Sequence, residues 1–337
     1  MVDVNNVNQV NRPPKFSVLM ANYNNGEYIG EAIESVLDQN FSDWELIVAD
    51  DVSTDNSVEI VEHYLYDSRI RFLENEKNVG YIKTLIKLVS KAKSDIFGTL
   101  DSDDVLTSDA LKVMHHAHKI NPKSGLIYSQ FIYCDKNLKP LGQGLSQVIP
   151  NGSTNLRCLY TGAFRTFKKD IYQKTEGFNP RYIYAEDRDI IFKMEEVTKV
   201  LFVDKPLYLH RVLLKGQSNN PKKKPIGHFF HIIAKYDAFC RRLETQIPNL
   251  TKKEMSLELC IASVLCLDIR KGKDAMKYFK SAINLNPILF FSMIHYLFNN
   301  IITRIRRLFY VGKTEPRLTY SKINQEIDRQ ATETCIE

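Results

Sequence analysis

Three carboxylates stand within four positions in Gly98-Thr-Leu-Asp101-Ser-Asp103-Asp104, directly after an apolar run. Burying such groups is too costly unless a cation or a polar ligand compensates them. Alternate residues of an extended segment point the same way, so Asp101 and Asp103 can face one hard divalent ion, Mg2+ or Mn2+, holding a diphosphate. The competing reading is that Asp103 or Asp104 caps a helix beginning near Ser108.

The elements that must position these groups follow from periodicity. Phe16-Ser-Val-Leu-Met20 is an apolar run opening into the turn-rich Ala21-Asn22-Tyr23-Asn24-Asn25-Gly26, after which Ile29, Ile33, Val36 and Leu37 recur at helical spacing. Trp44 to Ala49 predicts a second strand, ending in Asp50-Asp51-Val-Ser53-Thr-Asp55, where Ser53 or Asp55 can cap a helix through Val58, Ile60 and Val61. Ile70 to Leu73 predicts a third strand, Tyr81 to Lys91 a helix, and Ile96 to Leu100 a fourth strand carrying the acidic cluster. Alternation of this kind predicts a parallel sheet of βαβ units with ligands at the carboxyl ends of the strands, where all these polar signatures fall.

Four ordered segments then carry a resemblance: Ser17-Val-Leu-Met-Ala-Asn-Tyr-Asn24, Ala32-Ile-Glu-Ser-Val-Leu-Asp-Gln39, Ile47-Val-Ala-Asp-Asp-Val-Ser-Thr-Asp55 and Leu100-Asp-Ser-Asp-Asp104. Together they resemble the inverting family 2 glycosyltransferases that build bacterial surface polysaccharides. The resemblance extends over about residues 15 to 218, through Leu126-Ile-Tyr-Ser129, Thr161-Gly-Ala-Phe, Gly177-Phe178-Asn179 and Ala185-Glu186-Asp187-Arg-Asp189. It implies an α/β chain with the GT-A nucleotide-diphospho-sugar transferase fold, a mostly parallel central sheet flanked by helices, followed by a C-terminal helical extension.

The resemblance also implies roles. Tyr23 and Asp50 line a nucleobase pocket, where a carboxylate accepts from an imide N–H, while Asp51 organises the turn. Asn78, Lys83, Asp101 and Ser102 lie along the donor nucleotide, Gly80 permits close backbone approach, and Asp103, with Asp101, holds a divalent cation that stabilises charge on the departing diphosphate. Asp187 is the expected general base, with Glu186 and Gly162 on the acceptor side. For Glu186 and Asp187 the alternative is a helix cap, since Ile190, Ile191 and Met194 fit a buried helical face. One departure stands out. Where the family often places an aromatic-x-x-Arg-x-His segment, Tyr208-Leu-His210-Arg211-Val-Leu213 has leucine in place of the histidine, and His210 faces away from Leu213 in an extended segment.

With 337 residues, 44% of them hydrophobic, the chain can bury a large core and a smaller second one. Residues 1–203 carry 23 Lys and Arg against 28 Asp and Glu, a net charge of −5, and residues 204–337 carry 23 against 12, a net of +11. The basic half fits an anionic partner such as a phospholipid surface. The six cysteines lack C-x-x-C pairs, so reduced thiols are the default. Residues 1–14 read as a disordered arm, without the apolar core of a signal peptide.

After a basic linker or active-site loop at 219–225, residues 226–310 read as helical and 311–337 as a polar tail. The stretch 272–287 fits one arm of a helical hairpin. The run 288–303 contains no Asp, Glu, Lys or Arg and is followed by Arg304, Arg306 and Arg307, which suits either a membrane interface or a core or homodimer contact. It falls short of the roughly 18 apolar residues of a membrane span. The expected location is cytoplasmic, with peripheral attachment to the inner face of the membrane open. The expected partners are a nucleotide-sugar donor, UDP-linked, and a glycan or lipid-linked glycan acceptor, with no nucleic acid. The competing functions are transfer to polyprenyl phosphate and non-catalytic glycan binding on the same fold.

Overall fold

The computed structural model describes residues 12–213, 224–268 and 272–287. The expectations for the N-terminal arm up to residue 11, the basic loop up to residue 223, the 288–307 segment and the polar tail lie outside the described residues.

Residues 16–99 form three βα repeats and a fourth strand. Strand β1 (Phe16–Asn22) leads through helix α1 (Ile29–Leu37) to β2 (Trp44–Asp50), then through α2 (Ser57–Glu62) to β3 (Ile70–Glu74), and through α3 (Tyr81–Lys91) to β4 (Ile96–Thr99). All seven residues of β2 are buried, as a strand covered by helices on both faces requires. The order β3-β2-β1-β4 is parallel throughout, with Asn22 opposite Asp50 and Asp50 opposite Glu74, so polar residues line up along the carboxyl edge. Chain direction across the sheet reverses between β1 and β4, and such a switch point opens a crevice between the loops that leave the two strands.

Beyond β4 the sheet is mixed. The remaining elements are β5 (Val105–Leu106), α4 (Ala110–Ile120), β6 (Ser124–Cys134), β7 (Pro140–Gln143), β8 (Arg165–Lys168), α5 (Lys169–Gln173), α6 (Glu186–Val197) and β9 (Lys199–Arg211). Strand β8 runs antiparallel to both β4 and β6, β9 is parallel to β6, and β5 and β7 are antiparallel to β9 and β6. The expectation of a mostly parallel sheet therefore describes the first half, where each crossover helix returns the chain to the same edge. Gly98 is needed at the β4–β8 seam, where an added Cβ would sit 2.7 Å from the Phe164 ring.

The described residues fall into two compact units, one within 12–151 with 159–213 and the other within 152–158 with 225–268 and 272–287. The second contains α7 (Lys224–Arg241), α8 (Lys252–Asp268) and α9 (Gly272–Leu285). Helices α8 and α9 run antiparallel: Ser256 Oγ donates to the Ala282 carbonyl at 2.8 Å and Ser263 Oγ to the Ala275 carbonyl at 2.9 Å. The α9 face that packs there is Ala275, Tyr278 and Ala282, and the Phe229 ring of α7 meets Tyr278 at 5.6 Å between centroids. No helix among the described residues is long and apolar enough to cross a membrane.

Candidate active site

The acidic loop after β4 is a tight turn, closed by the Asp104 amide donating to the Asp101 carbonyl at 3.0 Å. Its three carboxylates have separate fates. Asp104 is 1% exposed and fully engaged: Oδ2 accepts from the Tyr208 hydroxyl at 2.8 Å and lies 2.9 Å from His210 Nδ1, while Oδ1 accepts from the Arg211 amide at 2.7 Å. Asp101 accepts from the Tyr81 hydroxyl at 3.0 Å. Asp103 has no side-chain donor bonded to it among the described residues. Helix capping does not account for the cluster, because α4 begins after Asp109.

The electrostatics of the loop call for positive charge. Burial, then the neighbouring Asp104 and Asp101, push the Asp103 carboxyl up to about 7, and burial followed by Asp104 raises Asp101. Burial works against a charged His210, yet its bond to Asp104 and the three nearby carboxylates more than offset that, so its pKa rises. A divalent cation fits this donor set of hard oxygens. Among the described residues no group of three or more His, Cys, Asp or Glu is disposed as a complete metal cage. Mg2+-type sites commonly use one or two carboxylates, with donor phosphates and water completing the shell.

On the other side of the switch point, Asp50 and Asp51 hold loops. Asp50 Oδ2 accepts from Asn22 Nδ2 at 2.7 Å and Ser53 Oγ at 2.6 Å, and Oδ1 accepts from the Ser53 amide at 2.7 Å. Asp51 accepts from the Val79 and Gly80 amides and from Asn75 Nδ2, at 2.8, 2.7 and 2.8 Å, which fixes the loop before α3. Gly80 sits there at φ 87°, a conformation that favours glycine. Asn78 donates to the Asp51 carbonyl, Tyr23 is 49% exposed at the end of β1, and Lys83 points to solvent on the first turn of α3. Ser102 accepts from Asn25 Nδ2 at 2.8 Å, joining the loops after β1 and β4 across the crevice.

Glu186 and Asp187 open α6 and lie in its first turn. Asp187 Oδ1 accepts from the Arg188 amide at 2.8 Å, and Oδ2 takes Arg165 Nη1 at 3.1 Å. Burial and the adjacent Asp187 push Glu186 up to about 8. Gly162 lies against the Phe131 ring, where an added Cβ would approach to 2.6 Å, so close packing already explains the glycine.

Several residues at this site carry no motif. Tyr81, Arg165 and Tyr208 stand in no recognisable acidic or glycine-rich pattern, and only the packing of α3, β8 and β9 at one edge of the sheet brings them together. His210 and Arg211 come from the segment that departs from the family pattern. The Arg211 guanidinium donates to the Asp103 carbonyl, pairs with Glu31 and lies 5.0 Å from the Tyr28 ring centre, bracing the acidic loop from behind. The sequence signal for Arg211 is its place in the mostly apolar Tyr208-Leu-His-Arg-Val-Leu213; the structure buries it, and a buried arginine needs an acidic or carbonyl partner.

Comparison with known proteins adds independent findings. Residues 17–176 match the family model "Glycosyl transferase family 2". The chain is 30% identical over 222 residues to a chondroitin synthase of Escherichia coli, covering 65% of this chain and 32% of that protein. It thus spans about a third of that synthase's length. Among solved structures it resembles S. aureus TarS 1-349 in complex with UDP-GlcNAc, with a TM-score of 0.62 at 18% identity over 80% of this chain and 81% of that one. It also resembles a mannosyltransferase from Pyrobaculum calidifontis in complex with GDP-Man and Mn2+, with a TM-score of 0.50 at 15% identity over 88% and 81% of the two chains. These structural likenesses establish the GT-A fold.

Proposed function

We propose that this chain, whose residues 17–176 match the model of glycosyl transferase family 2, is a member of that family and moves a sugar from a nucleoside diphosphate donor to a hydroxyl of a glycan acceptor in surface polysaccharide synthesis. The observation that carries this reading is the meeting, at one edge of the sheet, of the Asp101–Asp103 pair with Asp187 at the start of α6, linked through Arg165. UDP is the proposed nucleotide, in keeping with the TarS complex.

In this mechanism Tyr23 and Asp50 receive the base, and the loop that Asp51 holds closes over it. Asp101 and Asp103 would hold a divalent cation, which when bound supplies Lewis-acid stabilisation of the leaving diphosphate. Asp187 accepts the proton of the acceptor hydroxyl as its oxygen attacks the anomeric carbon from the face opposite the diphosphate. The new C–O bond forms as the old one breaks, and the bonding pair leaves on the phosphate oxygen. One base suffices and the configuration inverts. Glu186, largely protonated at neutral pH because its pKa is pushed up to about 8, donates a hydrogen bond to the acceptor.

A thermal-shift panel of nucleotide sugars with and without Mn2+ tests the donor class. A ligand at 100 times its Kd stabilises by about 2.7 kcal/mol. Asp103→Ala is expected to abolish the metal-dependent part of UDP binding in calorimetry. Unchanged affinity in that variant, beside a metal-dependent wild type, removes Asp103 from the cation site.

A further inference from the structure

Five carboxylates crowd this site: Asp101, Asp103, Asp104, Glu186 and Asp187. A general base among them must stay ionised and aimed, although its neighbours disfavour negative charge. Burial and like charges push Glu186 up to about 8 and Asp103 up to about 7. A cation reaches the base from β8, where Arg165 places Nη1 3.1 Å from Asp187 Oδ2, with the arginine side chain 20% exposed and the aspartate 32%. Charged or titratable groups face Arg165 from every side of this pocket: Asp187 from α6, Asp101 from the loop after β4, Tyr81 from α3 and Tyr208 from β9. Burial disfavours its charged form, but those four outweigh it and raise its pKa, so it stays cationic at any working pH.

We propose that Arg165 is a positioning residue for the transfer reaction, orienting Asp187 and supplying its counter-charge. The two Asp187 oxygens are held from different directions, Oδ2 by Arg165 and Oδ1 by the Arg188 amide, so the carboxylate plane is fixed before an acceptor arrives. Asp187 and Glu186, adjacent in sequence, differ in their partners: Arg165 bonds to Asp187, and although its charge also favours ionised Glu186, burial and Asp187 outweigh it there and raise that carboxyl. This inference rests on Asp187 being the base.

The test is the pH profile of kcat/KM, with the donor identified by the nucleotide-sugar panel, for wild type, Arg165→Gln, Arg165→Lys, Asp187→Asn and the Arg165→Gln/Asp187→Asn double variant. UDP affinity by calorimetry serves as the folding control. Loss of a cation within hydrogen-bond distance moves a carboxyl pKa up by about 1–3 units. Arg165→Gln should therefore shift the acid limb upward by at least about one unit, recover activity at higher pH and leave UDP affinity within a few-fold. Arg165→Lys should return the limb to its wild-type position but stay slower, because an ammonium cannot copy the planar fork. In the Asp187→Asn background, Arg165→Gln should cost nothing further. An unshifted limb in a UDP-binding Arg165→Gln enzyme overturns the proposal, as does an Arg165→Gln effect that persists undiminished in the Asp187→Asn background. If Arg165→Gln fails to bind UDP, Arg165→Lys decides: a lowered kcat with unchanged donor KM supports the proposal, and wild-type kcat overturns it. Failure of the parent reading looks different, since Asp187→Asn alone would then retain its activity.

Discussion

The Tyr208 hydroxyl donates to Asp104 Oδ2 at 2.8 Å and accepts from the Asp101 amide at 3.2 Å, so one phenol on the last strand holds both ends of the acidic turn. Removing it tests whether the turn is built before its ligand arrives. Tyr208 is 2% exposed, and leaving a buried carboxylate short of a donor costs about 1–3 kcal/mol. Tyr208→Phe should lower stability by that amount in urea unfolding and weaken metal-dependent UDP binding. Wild-type affinity in the variant means the turn is shaped by Arg211 and His210 alone.

Asp51 makes a parallel prediction on the nucleotide side. It gathers three donors from the loop before α3. Asp51→Ala should speed amide exchange at Val79 and Gly80, destabilise the fold by about 1–3 kcal/mol and loosen UDP binding. Unchanged exchange at those two amides would show that the loop is held by other contacts.

Glu186 supplies a pH prediction. Its pKa is pushed up to about 8, so it is mostly neutral at pH 7 and ionises as pH rises through 8. If the neutral form donates to the acceptor, kcat/KM should fall above pH 8 as that donor is lost. Glu186→Gln keeps a donor and has no proton to lose, so its alkaline limb should disappear. Persistence of the limb in Glu186→Gln assigns it to another group.

The parallel half of the fold was legible because its signals are local. Each strand from β1 to β4 is an apolar run ending in a polar turn, and α1 and α3 repeat apolar residues at helical spacing. The second half depends on long-range pairing: β5 is two residues long, and β8 lies between β4 and β6 although Thr99 and Arg165 are 66 positions apart. The site divides the same way. Asp101, Asp103, Glu186 and Asp187 announce themselves as acidic pairs, whereas Arg165 and Tyr208 acquire a role only when β8 and β9 take their register. Asp104 read equally well as a helix cap, and it took β9, more than a hundred residues away, to reveal its three donors.

The measurement that bears most directly on the central claim is turnover of Asp187→Asn at saturating donor and acceptor. The substitution keeps the shape of the side chain and removes its capacity to accept a proton. General-base catalysis contributes about 100- to 10,000-fold. A kcat loss in that range is predicted, with UDP affinity within a few-fold of wild type and a wild-type product whose anomeric configuration, read from NMR coupling constants, is inverted relative to the donor. Near-wild-type turnover in Asp187→Asn, or a product that retains the donor's configuration, would contradict the single-base mechanism, and the first result would favour an acceptor that is already anionic, such as polyprenyl phosphate.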